Sequence, residues 1–391
     1  MHVLDDLKVL DLSGQVAGPY CAKLLGDFGA DVIKIEPPQG EVGRRLPPLD
    51  PERLGPEASA FFLYLNSNKR GITLDVTTPT GADLLRRLAE DADMIVESFA
   101  PGTLEALGLG FDVLEALRPG IILTSVTPFG QTGPWRDLPI NELIAYACSG
   151  WASTTGRPER EPLKGSGYNA SFQAGVAAFD ATLGALIHRD RAGVGQQVDV
   201  SILDASVASF GPGILGAQHR GDPGGRQSGS FQRGPVAAAD GHFSLTLSRA
   251  HFWRDAMNEL GLPQFAEDPK YFQGRHEHGE AVAPLVEAKI AARGKRELFE
   301  ALGRLRVVGG MVLTTEELFD DPHVRARAFL VELDHPAAGT LKYPGAPFKM
   351  SKTPFELRRP APLLSQHTAE VLEEIGIARA ELTVLRARGV I

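Results

Sequence analysis

Leu7–Pro38, LKVLDLSGQVAGPYCAKLLGDFGADVIKIEPP, contains the pattern on which the fold turns. Leu7 to Leu12 is a short apolar run that stops at Ser13-Gly14, which predicts a buried strand. Pro19 to Phe28 predicts a helix whose apolar face is Cys21, Leu24, Leu25 and Phe28, with Gly29 as its C-terminal stop. Asp31 to Glu36 predicts the next strand, cut off by Pro37-Pro38. A strand, a helix and a second strand in this order predict a parallel sheet. The turn between them, Gly14-Gln15-Val16-Ala17-Gly18-Pro19, lacks the spacing of a dinucleotide fingerprint, and Pro19 removes a backbone donor.

The alternation continues outward. Strands are predicted at Ile72–Asp75, Met94–Val96 and Ile121–Val126, and helices at Thr78-Pro79 onward and Phe111–Leu117. The loops 36–45, 66–70 and 97–102 follow strands and carry polar or basic residues; ligands of open α/β sheets sit at such strand ends. Next comes Thr155–Ala205, a Gly-rich loop (Gly156, Gly165, Gly167), a helix predicted to start near Ser171 as N-cap, and the strand Val198–Ser201. Helix N-termini offer unpaired N–H groups, so residues 165–172 are a candidate reaction centre. Residues 211–234 are Gly-rich and read as a flexible connection or lid. Helices are predicted at His251–Leu262 and Ala281–Leu305, and the middle of the chain reads as a smaller mixed domain.

The chain has 391 residues, a net charge of −9 and two cysteines, Cys21 and Cys148. The acidic balance argues against nucleic acid as a partner. Two cysteines give neither a disulfide framework nor a thiolate metal site. His276 and His278 are spaced as on a strand and lack a third ligand, so no metal site is expected. No run of about 18 apolar residues stands out, no membrane span is expected, and the N-terminus lacks a leader pattern. The expected compartment is the cytoplasm.

The quoted stretch resembles the family III CoA-transferases, the CaiB/BaiF family. So do NSNKRGITLD (66–75), ADMIVESFAPG (92–102), LGLGFDVLEALRPGIILTSVTPFGQTGP (107–134) and GVGQQVDVSILDA (193–205). ADGHFSL, DPKYF and SQHTAEVLEEIG follow in the same order. The resemblance implies an α/β fold with a Rossmann-like large domain, parallel in its sheet and discontinuous, from residues 1–204 and 330–391. It implies a smaller mixed domain from 205–329, with the Gly-rich connection 211–234, and an interlocked dimer. It implies an acyl-CoA and a carboxylic acid as substrates, with coenzyme A bound as substrate and no tightly held cofactor.

The implied CoA-binding positions are Val16, Ala17, Lys34 and the loop after it, Asn68 within Asn66–Arg70, and Ser98 and Phe99. Arg44, Arg45, Lys69 and Arg70 are the candidate phosphate partners, because phosphate recognition favours cations and helix-start N–H groups. The family's nucleophilic aspartate position falls on Ser171, within Ala170-Ser171-Phe172-Gln173-Ala174-Gly175. The histidine used by its racemases falls on Asn141, beside Glu142. The implied activity is movement of CoA between carboxylic acids, and three routes stay open. Ser171 acts as nucleophile with Glu142 as base; a displaced carboxylate such as Glu142, Glu161 or Asp180 acts; or the chain is the subunit of a heteromer whose Asp-bearing paralogue acts. A non-catalytic CoA-binding protein and an acyl-CoA racemase or isomerase are the alternatives.

Overall fold

Strands Lys8–Leu12 (β1), Asp31–Glu36 (β2), Lys69–Thr73 (β3), Met94–Glu97 (β4), Ile122–Thr127 (β5) and Gln196–Ser201 (β6) form one sheet in the computed structural model. Their order is β3-β2-β1-β4-β5-β6, and every pairing is parallel. The structure describes residues 2–47, 57, 59–209, 211–221, 225–226, 234–247, 249–273 and 275–391.

Near-continuous apolar strands are what a sheet buried on both faces requires. Leu10, Leu12, Ile33, Ile35, Ile72, Ile95 and Leu123 face one core, with Leu84, Leu85 and Leu88 and the C-terminal residues Val371, Leu372 and Leu382. Val9, Val32, Met94, Val96, Ile122 and Val126 face the other, under two helices. One is Ala17–Asp27 (α1). Others on the chain are Ala60–Leu65 (α2), Pro79–Ala89 (α3), Phe111–Leu117 (α4) and Glu142–Cys148 (α5). The second helix on that core, Asn169–Ala192 (α6), has 24 residues.

The strand–helix–strand unit is where the sequence predicts it. β3 starts three residues earlier than the predicted Ile72, because Lys69 and Arg70 enter the ladder opposite Val32 and Ile33. α6 starts at Asn169 with Tyr168 as its N-cap, so Ser171 is the third helical residue and not the cap. α6 is also long and apolar enough to cross a membrane by length and composition, against the sequence expectation. Its inner face, however, packs through Ala174, Ala178, Ala185 and Leu186 into the second core.

The chain divides into two compact units. The first comprises residues 1–152, 164–223 and 326–391, and the second 153–163 and 224–325. The expected boundaries at 204/205 and 329/330 therefore move. Residues 202–209 form a helix (α7) and Gly211–Arg220 another (α8), so the first half of the supposed flexible connection is helical. α7 stays with the sheet because it follows β6 directly, and Leu203 N donates to Pro128 O. The glycine-rich positions 222–224 and 227–233 lie outside the described residues.

The second unit has a three-stranded antiparallel sheet, Val236–Ala238, Gly241–Thr246 and Val308–Met311. Its core holds Phe243, Trp253, Val286, Leu298 and Leu302. The helix predicted over 281–305 is two helices, Arg275–Ala291 and Lys295–Arg304. The break falls at Gly294, where Lys295 N donates to Asp240 Oδ1 at 2.7 Å. Residues 276 and 278 therefore sit on a helix, not a strand.

Candidate functional site

The strand order reverses between β1 and β4, and ligands of open α/β sheets bind at that point. A cavity of about 540 Å³ lies there, lined by Gly14, Gln15, Glu41, Arg45, Ser98 and Phe99 among others. Backbone bonds shape its wall. Gly14 N donates to Ser98 Oγ at 2.9 Å, and Gln15 N and Gly43 N donate to Glu41 Oε2 at 3.1 and 2.7 Å. α1 then begins tightly against the strand end. A Cβ on Gly18 would lie 2.3 Å from Ser13 Cβ, so only glycine fits. No side chain caps α1 beyond Val16, and the turn Val16-Ala17 presents its helix start.

Beneath this turn lies a charge cluster that sequence reasoning missed. Lys69 Nζ donates to Asp11 Oδ2, Pro19 O and Asn66 Oδ1 at 2.8, 2.9 and 2.9 Å. Lys34 Nζ donates to Ser13 O and lies 3.6 Å from Asp11 Oδ2. Burial pushes the Asp11 carboxyl up, but Lys34 and Lys69 outweigh it and hold it below the ordinary range. Burial brings Lys69 down to about 8 despite Asp11.

The expected CoA-binding cations therefore separate. Lys34 and Lys69 are both 0 % exposed and serve Asp11. Arg44 makes a bidentate pair with Glu36, both bonds 2.7 Å, and its guanidinium lies 3.7 Å from the Phe62 ring centroid. Arg70 is held by Asp31, Glu370 and Glu374. Asn68 spends its amide on Asp27, Glu356 O, Arg358 N and Arg359 N. Each of these five already has protein partners and fastens the fold internally. Arg45 differs. It is exposed, lines the cavity, and forms no ion pair among the described residues. Ser98 and Phe99 also line it.

The second locus is the start of α6. Asn141 is the N-cap of α5, its Oδ1 accepting from Ile144 N at 3.0 Å, which is why an amide side chain suits that position. Glu142 follows and reaches across to α6. Its carboxylate accepts from Ala170 N at 2.8 Å, Ser171 N at 3.1 Å and Ser171 Oγ at 2.7 Å. The structure thus brings together Ser171 and Glu142. It does not bring in Asp180. Glu161 belongs to the second unit, and Asp180 is over two turns further along α6, on an open groove of about 900 Å³ walled by Tyr20, Tyr64 and Phe172.

The two loci are joined through Gly175. A Cβ there would lie 2.7 Å from Ala17 O, so α6 rests directly on the start of α1. Phe172 meets Tyr20 edge-on at 4.8 Å between centroids. Ser171 is one turn, about 6 Å, upstream of Gly175. Glu41 and Asp11, which shape the first locus, carried no sequence signal. Each is a lone acid in a strand or polar loop, and only the fold assigns its partners.

The sequence model of CoA-transferase family III matches residues 4–368. The chain is 33% identical over 381 residues to a succinate–glutarate CoA-transferase of Agrobacterium fabrum, covering 95% of each. It is 33% identical to the succinyl-CoA–L-malate CoA-transferase beta subunit of Chloroflexus aurantiacus, covering 99% of this chain and 98% of that one. A solved CaiB/BaiF family protein from Brucella suis superposes with a TM-score of 0.84 at 28% identity, over 96% of this chain and 99% of that one.

Proposed function

This chain belongs to CoA-transferase family III, and from that premise we propose that it moves CoA from an acyl-CoA to a carboxylic acid as one subunit of an assembly. The nucleotide end of the CoA takes the cavity at the β1–β4 switch, with Arg45 against phosphate and Phe99 against the base. The acyl end runs past the start of α1 to Ser171.

One observation carries the choice among the catalytic routes. Glu142 accepts three hydrogen bonds, two of them from the backbone start of α6. A carboxylate engaged in this way fastens a helix start, and Ser171 is the third donor to it rather than a hydroxyl with a free base. The transfer therefore uses a carboxylate on a second polypeptide, an Asp-bearing paralogue, while this chain holds ligand and completes the assembly. The name of the beta-subunit relative supports a heteromer.

The test is exchange between succinyl-CoA and a panel of carboxylic acids, run with the chain alone and with a co-expressed paralogue. Activity only in the pair is the expected result. Robust exchange by the chain alone overturns the subunit reading. Hydroxylamine trapping then separates the routes: a hydroxamate left on Glu142 identifies a displaced carboxylate that carries CoA as a thioester, whereas an acyl group that hydroxylamine releases from Ser171, seen by mass, identifies a serine nucleophile that carries the acyl group as an ester.

A further inference from the structure

Lysines that are not fully exposed almost all have a carboxylate partner here. Lys8 pairs with Asp91, Lys23 with Asp27, Lys34 and Lys69 with Asp11, and Lys295 with Glu317. Lys164 is the exception among the described residues. It is half-buried, and its ammonium donates only to two backbone carbonyls, Gly165 O at 2.7 Å and Gly167 O at 2.6 Å. Carbonyls orient an ammonium but leave its charge uncompensated, and three donors minus two leaves one N–H to offer. The loop it holds leads straight into α6. A Cβ on Gly165 would lie 2.9 Å from Asn169 Nδ2 and 3.4 Å from the Tyr146 ring, so the loop is seated on the helix start. Ser171 follows two residues after Asn169. A positioned cation with no carboxylate partner among the described residues is thus held on the loop that runs into the start of α6, through Gly167 O four residues before Ser171.

We propose that Lys164 reads the free carboxylate of a short dicarboxylic acyl group, making this chain selective for dicarboxylate over monocarboxylate substrates. The inference rests on the function proposed above, since it takes the acyl end of a CoA thioester to lie at Ser171. A carboxylate arriving there gains a charge-assisted bond, whereas a methyl end leaves the ammonium without a counter-charge.

The experiment compares two stable thioethers of equal length, carboxypropyl-CoA and butyl-CoA, by calorimetry on the full chain. Free succinate and butyrate are titrated alongside. The wild-type chain is expected to favour carboxypropyl-CoA about tenfold, the scale of one charge-assisted bond. Lys164→Met is expected to abolish that preference while butyl-CoA binding and the thermal midpoint hold. Lys164→Arg, which keeps the charge, is expected to retain part of it. Loss of affinity for both thioethers alike in Lys164→Met would show a merely structural lysine and overturn the inference. So would a preference that survives Lys164→Met. If neither thioether binds but the chain still favours succinate over butyrate through Lys164, the CoA reading fails and the inference about Lys164 stands.

Discussion

Ser171 Oγ donates to Glu142 Oε2 at 2.7 Å, and the same carboxylate accepts the N–H groups of Ala170 and Ser171. Ser171 is thus part of a helix fastening. The energetics of that fastening can be separated from catalysis.

Ser171→Asp would set two carboxylates against each other at hydrogen-bond distance. One of them must take up a proton or turn away. The single variant is expected to lose about 1–3 kcal/mol of stability, and the added Glu142→Gln to restore most of it, a coupling of the kind found for residues in contact. Urea unfolding of the four proteins of this cycle measures it; strict additivity would refute the contact as an energetic pair.

Glu142→Ala, with Ser171 untouched, leaves the first N–H groups of α6 without their acceptor. The cost is expected at about 1–3 kcal/mol, as for other lost caps and unsatisfied buried donors. Ser171→Ala removes one hydrogen bond only and should cost about 1 kcal/mol. If the two variants unfold at the same denaturant concentration, the carboxylate does not hold the helix start.

The cations expected to bind phosphate divide into two groups with opposite phenotypes. Arg45→Ala should weaken CoA binding about tenfold at low salt and less at high salt, because the contact is exposed and screened. Its thermal midpoint should not move. Lys69→Met should behave in reverse, destabilising the fold by about 1–3 kcal/mol, because Pro19 O and Asn66 Oδ1 lose their donor and Asp11 keeps Lys34 alone as its cation. Paired melting curves and binding isotherms decide it. A stable Lys69→Met protein with selectively lost CoA affinity would return Lys69 to the ligand.

Glu97 supplies a pH dependence. Burial, opposed by bonds from Ser125 and the Phe99 N–H and assisted by Glu105 and Asp199, pushes its carboxyl up to about 7 from 4.5. A carboxyl raised on folding holds its proton more tightly in the native state. Its stabilising contribution is therefore complete below pH about 4.5 and is lost as pH rises through about 7. The loss is on the order of 3 kcal/mol at most. Glu97→Gln, which imitates the protonated acid, should flatten this slope between those limits. Unfolding free energies at a series of pH values test it; parallel curves for the two proteins would assign the titration elsewhere.

How far these features were visible in the chain depends on the distance over which each is decided. β1 and β2 were legible as apolar runs bounded by Ser13-Gly14 and Pro37-Pro38, because a strand covered on both faces needs nothing else. The helix start at 169 was missed by two residues, since the residue that satisfies it, Glu142, lies 28 positions away from Ala170. Lys34, Arg44, Lys69 and Arg70 all read as ligand cations, for an unpaired lysine and a lysine bound to Asp11 look alike in sequence. Their partners come from β1, β2 and the helix Thr368–Glu374, and only the fold brings those together. Ser171 and Glu142 were joined by resemblance alone; no periodicity places an N-terminal residue of one helix on the start of another.

The bare Cα of Gly175 acts as a ruler. α6 touches α1 at Ala17 O with no side chain between them, so the span from the Gly14–Pro19 turn to Ser171 is set by an absent methyl group. A single added carbon at 175 would lever the helix outward and lengthen that span, with every residue that contacts substrate left chemically intact. In the function proposed above, such a variant would hold the nucleotide of CoA while delivering the thioester to the wrong place.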